Sequence, residues 1–404
     1  MKIGLIRHAM DSPQGGARQV ALLARDLCHL GEDVTLYCHT YEKDACFPEV
    51  LEGVPVKAVR ANGQSDGGRG SESGSQRLLR QLKRYYLESS AIASLIHRDT
   101  RILNPHEWLA HRAAGLFSSR RHVPVVWSYN DPSGWHVRGT PGIADLARRL
   151  FGWRDSLLVK RFSAITVLDN RIKRIAEGAF TTPARLVRSG VDAASIESAG
   201  SRVARRPSGA SSVFQLLSVG ILFPHRRFED AIQAVSHLRD SGCECRYDII
   251  GSDKYAPGYG DQLRQLVTDL SLHGVVNLRF QSVSDPELTK AYEGADALVF
   301  ANDRQTWGLA PLEAMAKAVP VIVSRGAGVH EVLTDGENAL LVDPGRPEQI
   351  VRAIRRLVES TDLRGRLGEA GRRLVLQRFT SRHYAVAMLE LFRECVSEFQ
   401  MRKA

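Results

Sequence analysis

The chain of 404 residues contains no apolar run near 18 residues, so no membrane-spanning helix is expected. Its opening, Met-Lys-Ile-Gly-Leu-Ile-Arg-His, is a short strand broken by charge and not a secretory signal. Cysteine is sparse, six in all, with no small-domain framework, which fits free thiols in a reducing cytosol. Cys243 and Cys245 have no second pair with which to build a metal site. Asp-x-Asp and His-x-x-x-His are both absent, so no metal site is expected. No nucleic-acid-binding motif occurs, and the aromatic residues, 7% of the chain, are not interleaved with basic runs, so nucleic acid is not an expected partner. Acidic residues are the minority charge, 45 against 55 Lys plus Arg, for a net charge of +10. Such an excess attracts anions, whether phosphorylated substrates or anionic lipid. The rest is ordinary for a globular protein: 43% hydrophobic and 25% charged. The length suggests two domains of about 200 residues each.

Strand and helix signals alternate along the chain. Residues 3–7 form a strand, and Val20, Leu23, Ala24, Leu27 and Leu30 recur at helical spacing. Gly31 ends that helix, and residues 34–38 are the next strand. This βαβ unit implies a parallel sheet. Gly15 and Gly16 lie between strand and helix, where a backbone can approach a ligand closely. Residues 61–75 are rich in Gly and Ser and read as a loop. Residues 76–97 read as a basic amphipathic helix carrying Arg77, Arg80, Lys83 and Arg84 beside Leu and Tyr, either a solvated face or a membrane-surface one. Strands at 101–103 and 123–127 end in Asn104–Trp108 and in Tyr129, Asn130 and Asp131; polar residues at such ends face the ligand crevice of an open α/β sheet, although Asn-Asp-Pro is also a plain turn sequence. Further strands fall at 164–168, 184–187, 214–220, 247–251, 276–281 and 297–300. The polar stretch 198–212 is the best domain boundary.

The richest segment is 296–344. The apolar strand 297–300 ends in a polar turn, and Gly308-Leu309 opens a short helix that carries Glu313. A second strand, 319–323, leads to a turn with Gly326 and Gly328. A helix that starts above a sheet points free backbone N–H groups and its positive dipole end at whatever sits there, which is a diphosphate cradle. A carboxylate one turn into the helix can hold a ribose diol. The same residues also fit an ordinary strand–helix–strand unit.

This segment resembles the sugar-nucleotide site of glycosyltransferase family 4, retaining enzymes with the GT-B fold. The family pattern is Glu, seven residues, Glu, then Ala-x-Ala-x-Gly-x-Pro-Val. Glu313 is the second Glu and Pro320-Val321 match; Gln305 replaces the first Glu, and Ala318 replaces the glycine. The resemblance spans nearly the whole chain and is tightest over 213–378. It implies that Gly220, Arg226 and Arg227 hold the donor diphosphate with Gly308 and Leu309, with Ile221 where the family has Arg. It implies that Val283, in the segment 280–288, lies against the base, and that Gly15 and Gly16 lie at the ligand. Asn130 stands where the family has His, beside Asp131. Gln305, Asn130, Asp131 and Arg226 are thereby the candidate catalytic residues.

The resemblance implies two Rossmann-like domains facing a central cleft: 1–197 for the acceptor, a linker at 198–212, 213–378 for the nucleotide sugar, and 379–404 as a helix crossing back to the first domain. The implied activity is metal-independent, cofactor-free transfer from a nucleotide-diphosphate sugar to a glycan or lipid-linked acceptor, as in bacterial cell-surface polysaccharide or glycolipid synthesis. The implied place is the cytoplasm, with a possible peripheral contact to anionic membrane. A sugar-nucleotide epimerase of the same fold and an inactive GT-B binding protein stay open as alternatives. The sugar, base, acceptor and oligomeric state are not encoded in any recognisable motif.

Overall fold

The computed structural model describes all residues except 13, 62–83, 131–152, 155, 193–212, 282 and 403–404. The expected loop at 61–75 (apart from Ala61), Arg77, Arg80, Lys83, Asp131 and the boundary 198–212 lie outside the described residues. The chain forms two compact units, one of Met1–Ser189 with Ser381–Ala404 and one of Gly190–Thr380. The first unit thus closes at Ser189, ahead of the 198–212 stretch.

In the first unit the strands are β1 (Lys2–Ile6), β2 (Ala9–Met10), β3 (Asp33–Tyr41), β4 (Val56–Ala61), β5 (Ile102–Pro105), β6 (Val126–Ser128), β7 (Ala164–Val167) and β8 (Ala184–Leu186). β3 pairs with β1, β2 and β4, β1 pairs with β5, and β7 lies between β6 and β8. Single parallel bridges, Leu103 to Val125 and His106 to Ser128, link β5 to β6. Every pairing is parallel. The strand order therefore turns back between β1 and β5, where an open α/β sheet places its ligand crevice. The helices are α1 (Gly15–His29), α2 (Ser89–Leu95), α3 (Glu107–Arg121) and α4 (Asn170–Ala179). α2 follows a π-helical turn, Arg84–Glu88, so the helix expected at 76–97 is described from residue 84. The C-terminal helix Ser381–Met401 buries Tyr384, Ala385, Met388, Leu389 and Phe392 in the same core as Val20, Leu23, Ala24 and Leu27 of α1. Strands β2 and β4 were not legible beforehand: β2 is two residues long, and β4 alternates half-buried and exposed positions.

The second unit is one six-stranded parallel sheet. Its strands are β9 (Phe214–Val219), β10 (Cys245–Ile250), β11 (Val276–Arg279), β12 (Ala297–Phe300), β13 (Val321–Ser324) and β14 (Leu340–Val342). The spatial order is β11-β10-β9-β12-β13-β14. This is the doubly wound dinucleotide-binding order, and it turns back between β9 and β12. β12 and β13 are buried along their whole length, as expected of strands covered on both faces. The helices are α5 (Phe228–Asp240), α6 (Pro257–Asp269), α7 (Asp285–Gly294), α8 (Leu309–Ala316), α9 (Pro347–Glu359) and α10 (Thr361–Arg378). Leu216, Ile249, Val299, Ile322, Ile354 and Leu357 meet in its core.

Two local features have measurable consequences. α8 ends in a double turn in which the Ala318 N–H donates to the Met315 carbonyl and the Val319 N–H donates to the Ala314 carbonyl. This motif needs a left-handed residue after the cap, usually Gly, and Ala318 fills it at φ +57°. Ala318→Gly removes that strain and is expected to stabilise the protein by about 1 kcal/mol; a urea midpoint at or below wild type would contradict this. In the first unit, His106 is fully buried, pairs through Nε2 with Asn104 Oδ1 at 2.8 Å, and leaves Nδ1 without a partner. Burial, with the Arg7 charge nearby, pushes its pKa down to about 3. The unfolded histidine titrates near 6.5, so this contribution to stability is complete above about pH 6.5 and is lost as pH falls from there towards 3. Between pH 7 and pH 5 wild type is expected to lose up to about 2 kcal/mol more stability than His106→Gln. Equal losses in urea titrations would show that His106 is not held neutral.

Candidate functional site

The second unit's turn-back point is built around one guanidinium. β9 is followed by Gly220, whose φ of +155° is open to glycine and rarely to other residues. A Cβ there would stand 3.3 Å from Arg226 Nη1. Arg226 closes the 3-10 turn Pro224–Arg226. Its guanidinium carbon lies 6.0 Å from the centre of the Phe300 ring, at the end of β12. With its amide oriented to satisfy the hydrogen bonds, buried Asn302 accepts from Arg226 Nη1 at 3.2 Å and donates to the Arg226 carbonyl at 3.1 Å. Backbone, ring and amide thus fix the Arg226 fork at the ends of β9 and β12. The neighbouring Arg227 is held otherwise. Its φ is +52°, and its Nε and Nη2 donate to the two carboxylate oxygens of buried Asp230 at 2.5 and 2.7 Å. That hydrogen bonding raises its pKa. Asp230 also accepts from the Gly345 N–H at 3.1 Å. Asp230 thereby ties Arg227 to the turn after β14, and Arg226 is the guanidinium held at the ends of β9 and β12.

Across the crevice, α8 starts at Gly308 with φ +136°, and a Cβ there would meet Phe300 at 3.0 Å. Glycine at this position lets the start of α8 approach Phe300, the ring over which Arg226 lies. Glu313, half-buried one turn on, accepts a 2.7 Å hydrogen bond from the hydroxyl of Tyr292 in α7. Tyr292 is the residue that aims this carboxylate. Gln305 is set by backbone: its N–H donates to the Gly326 carbonyl at 3.2 Å, and its carbonyl accepts from the Gly328 N–H at 2.8 Å. The 301–308 loop is in this way zipped to the turn after β13. Val283 directly precedes α7, whose start carries a capping box of Ser284 and Glu287. Gly220, Arg226, Gln305, Gly308, Leu309 and Glu313 are therefore brought to the C-terminal edge of one sheet. Phe300, Asn302 and Tyr292 belong with them and were not expected. The first two could have been found by taking every residue after an apolar strand end; Tyr292 leaves no such signal.

The first unit has its own cluster at its turn-back point. Gly16 lies 3.1 Å, by its missing Cβ, from Arg7 Nη1, whereas Gly15 has nothing within 4 Å of such an atom. Asn130 donates to Gln19 Oε1 of α1 at 3.3 Å. His8 and His39 are brought together because the His39 N–H donates to the His8 carbonyl at 2.9 Å. Their rings stack at 5.4 Å and 6°. His8 Nε2 lies 2.6 Å from Glu88 Oε2. The His8 N–H donates to Glu107 Oε1 at 2.7 Å, and Glu107 holds an uncommon φ of +66°. Of these four, only Glu107 falls in a strand end singled out from the sequence, Asn104–Trp108; the other three come from separate segments.

Two family models match the chain: glycosyl transferases group 1 over residues 204–374, and the glycosyl transferase 4-like domain over residues 14–190. The chain is 30% identical over 282 residues to the lipopolysaccharide core biosynthesis glycosyltransferase LpsE of Rhizobium meliloti, covering 70% of each. In fold it is similar to sucrose-phosphate synthase from Thermosynechococcus elongatus, with a TM-score of 0.77 and 17% identity over 98% of this chain and 99% of that one. It is likewise similar to Anabaena Alr3699/HepE, solved in complex with UDP and glucose, with a TM-score of 0.72 and 16% identity over 97% of this chain and 99% of that one. Two doubly wound parallel units, each matched by its own family model, identify the chain as a member of the group 1 glycosyl transferases, glycosyltransferase family 4, with the GT-B fold.

Proposed function

We propose that this transferase moves a sugar from a nucleotide-diphosphate donor to a glycan or lipid-linked acceptor, with retention of anomeric configuration, in bacterial cell-surface polysaccharide or glycolipid synthesis. The observation that carries the donor half is the Arg226 fork fixed by Gly220, Phe300 and Asn302 opposite the start of α8. When the bond from sugar to phosphate breaks, negative charge gathers on the diphosphate. Arg226 and the first amides of α8 are donors already in place for that charge. The guanidinium neutralises the leaving group in the role a metal ion would otherwise fill, which supports metal-independent chemistry. Glu313, aimed by Tyr292, suits the ribose hydroxyls, and the chain before α7 at Val283 suits the base. UDP is the nucleotide in the Anabaena relative, and it is the first donor base to test.

Gln305 is a neutral amide. It can hydrogen-bond a sugar hydroxyl but cannot act as nucleophile or stabilise a cation by charge. Same-face attack, with the departing diphosphate taking the acceptor proton, fits it better than a covalent intermediate. The likeness to a lipopolysaccharide core enzyme supports a glycan or lipid-linked acceptor. The net charge of +10 supports work in the cytoplasm at an anionic membrane face; no helix among the described residues is long and apolar enough to cross a membrane. Nucleoside diphosphate released only when an acceptor is present supports transfer. Interconversion of the donor without acceptor would instead make the protein an epimerase, and binding without turnover would make it a binding protein.

Two substitutions separate nucleotide from sugar. Each charge-assisted bond from Glu313 is worth roughly 1.5–3 kcal/mol, so Glu313→Ala is expected to weaken nucleotide binding about tenfold or more while the fold survives. Unchanged affinity by calorimetry would remove Glu313 from the ribose. Gln305→Ala is expected to keep nucleotide affinity and lose discrimination among donor sugars. A variant that transfers the same sugar at the wild-type rate would reduce Gln305 to a turn residue.

A further inference from the structure

We infer that His8, His39 and Glu88 form a binding site in the first unit for a divalent transition-metal ion of the zinc class. The three residues come from separate places: the residue pair after β1, the C-terminal part of β3, and the π-helical turn ahead of α2. One donor atom from each lies within 4.8 Å of the other two. Two imidazoles and one carboxylate are a donor set that zinc takes in sites with an open fourth position. The set is also largely withdrawn from water: His8 is 8% exposed, His39 is 7% exposed, and Glu88 is half-buried.

The donor atoms are near enough for one ion, and since the two imidazoles stack with their planes 6° apart, one ring has to turn for both nitrogens to converge on it. Zinc holds nitrogen and oxygen ligands at about 2.0–2.1 Å, which in a tetrahedron puts donors about 3.3 Å apart. His8 Nε2 and Glu88 Oε2 are already nearer than that, at 2.6 Å, and would open slightly. Separations of at most 4.8 Å have to close by no more than about 1.5 Å, which side-chain rotation can supply. A hydrogen-bonded pair explains His8 and Glu88 by themselves. It does not require the third donor, which the pairing of β3 with the His8 carbonyl brings alongside. The site uses residues of the first unit alone and stands apart from the donor chemistry proposed above. A bound ion would fasten the start of the 84–95 helical segment to the ends of β1 and β3. Its fourth position would face water or an oxygen ligand at the turn-back point of the sheet.

The test uses the full chain, stripped with a chelator and titrated with Zn²⁺ by calorimetry and with Co²⁺ by visible absorption. The expected result is one ion per chain, with Co²⁺ bands of a four-coordinate site. His8→Ala, His39→Ala and Glu88→Gln are each expected to weaken binding at least tenfold and to lose those bands. Melting of the metal-free variants checks the fold, and the near-isosteric Glu88→Gln keeps the test decisive if a histidine variant unfolds. Less than one ion per chain in wild type would overturn the inference. So would variants that bind as wild type does, because the chain holds 13 histidines and the ion would then sit elsewhere.

Discussion

Parallel pairing is the constraint from which the rest follows. All paired strands in both units run the same way. The central strands, such as β12 and β13, are covered on both faces, so their own side chains are spent on the core. Chemistry is left to the residues just after each strand, and those residues all arrive at the same edge. Where the order of strands turns back, helices leave on opposite faces and a crevice opens. In the second unit that place falls between β9 and β12, and in the first between β1 and β5. Gly220, Arg226, Phe300 and Asn302 stand at the one; His8, His106 and Glu107 stand at the other.

Two of the six described non-glycine residues with positive φ stand at these edges: Glu107 lies beside His8 and Arg227 beside Arg226. Each is held by contacts that over-determine it: Glu107 accepts from the His8 backbone, and Arg227 pairs with Asp230. Such conformations cost about 1–3 kcal/mol each and persist where the surroundings fix them. Two adjacent arginines are thus held differently, Arg227 by Asp230 and Arg226 by Phe300 and Asn302.

The signals singled out at this edge of the second unit are local: a strand followed by Gly220, a basic turn at 224–227, and a Gly308-Leu309 helix start followed by Glu313 each lie within a dozen residues. Ala318 is the same kind of signal: the family glycine marks a left-handed helix end, and the chain keeps the conformation without the glycine. What could not be read is long-range. Tyr292 reaches Glu313 from a separate helix, 21 residues away in sequence, and Asn302 has meaning only once Arg226 is folded over it. His8, His39 and Glu88 meet across segments that share no spacing rule. Local metal motifs such as Asp-x-Asp and His-x-x-x-His do not describe such a set. Short β2 and β14 carry too few residues to show a period.

The central claim is that a nucleoside diphosphate sits at the β9/β12 turn-back point, between the Arg226 shelf and the start of α8. Amide hydrogen exchange of the full chain, with and without UDP, GDP, ADP or dTDP and with matched sugars, tests this most directly. The expected result is that one nucleotide series slows exchange in residues 220–226 and 305–313 together. Protection confined to the first unit, or none in either segment with a ligand that calorimetry shows to be bound, would contradict it.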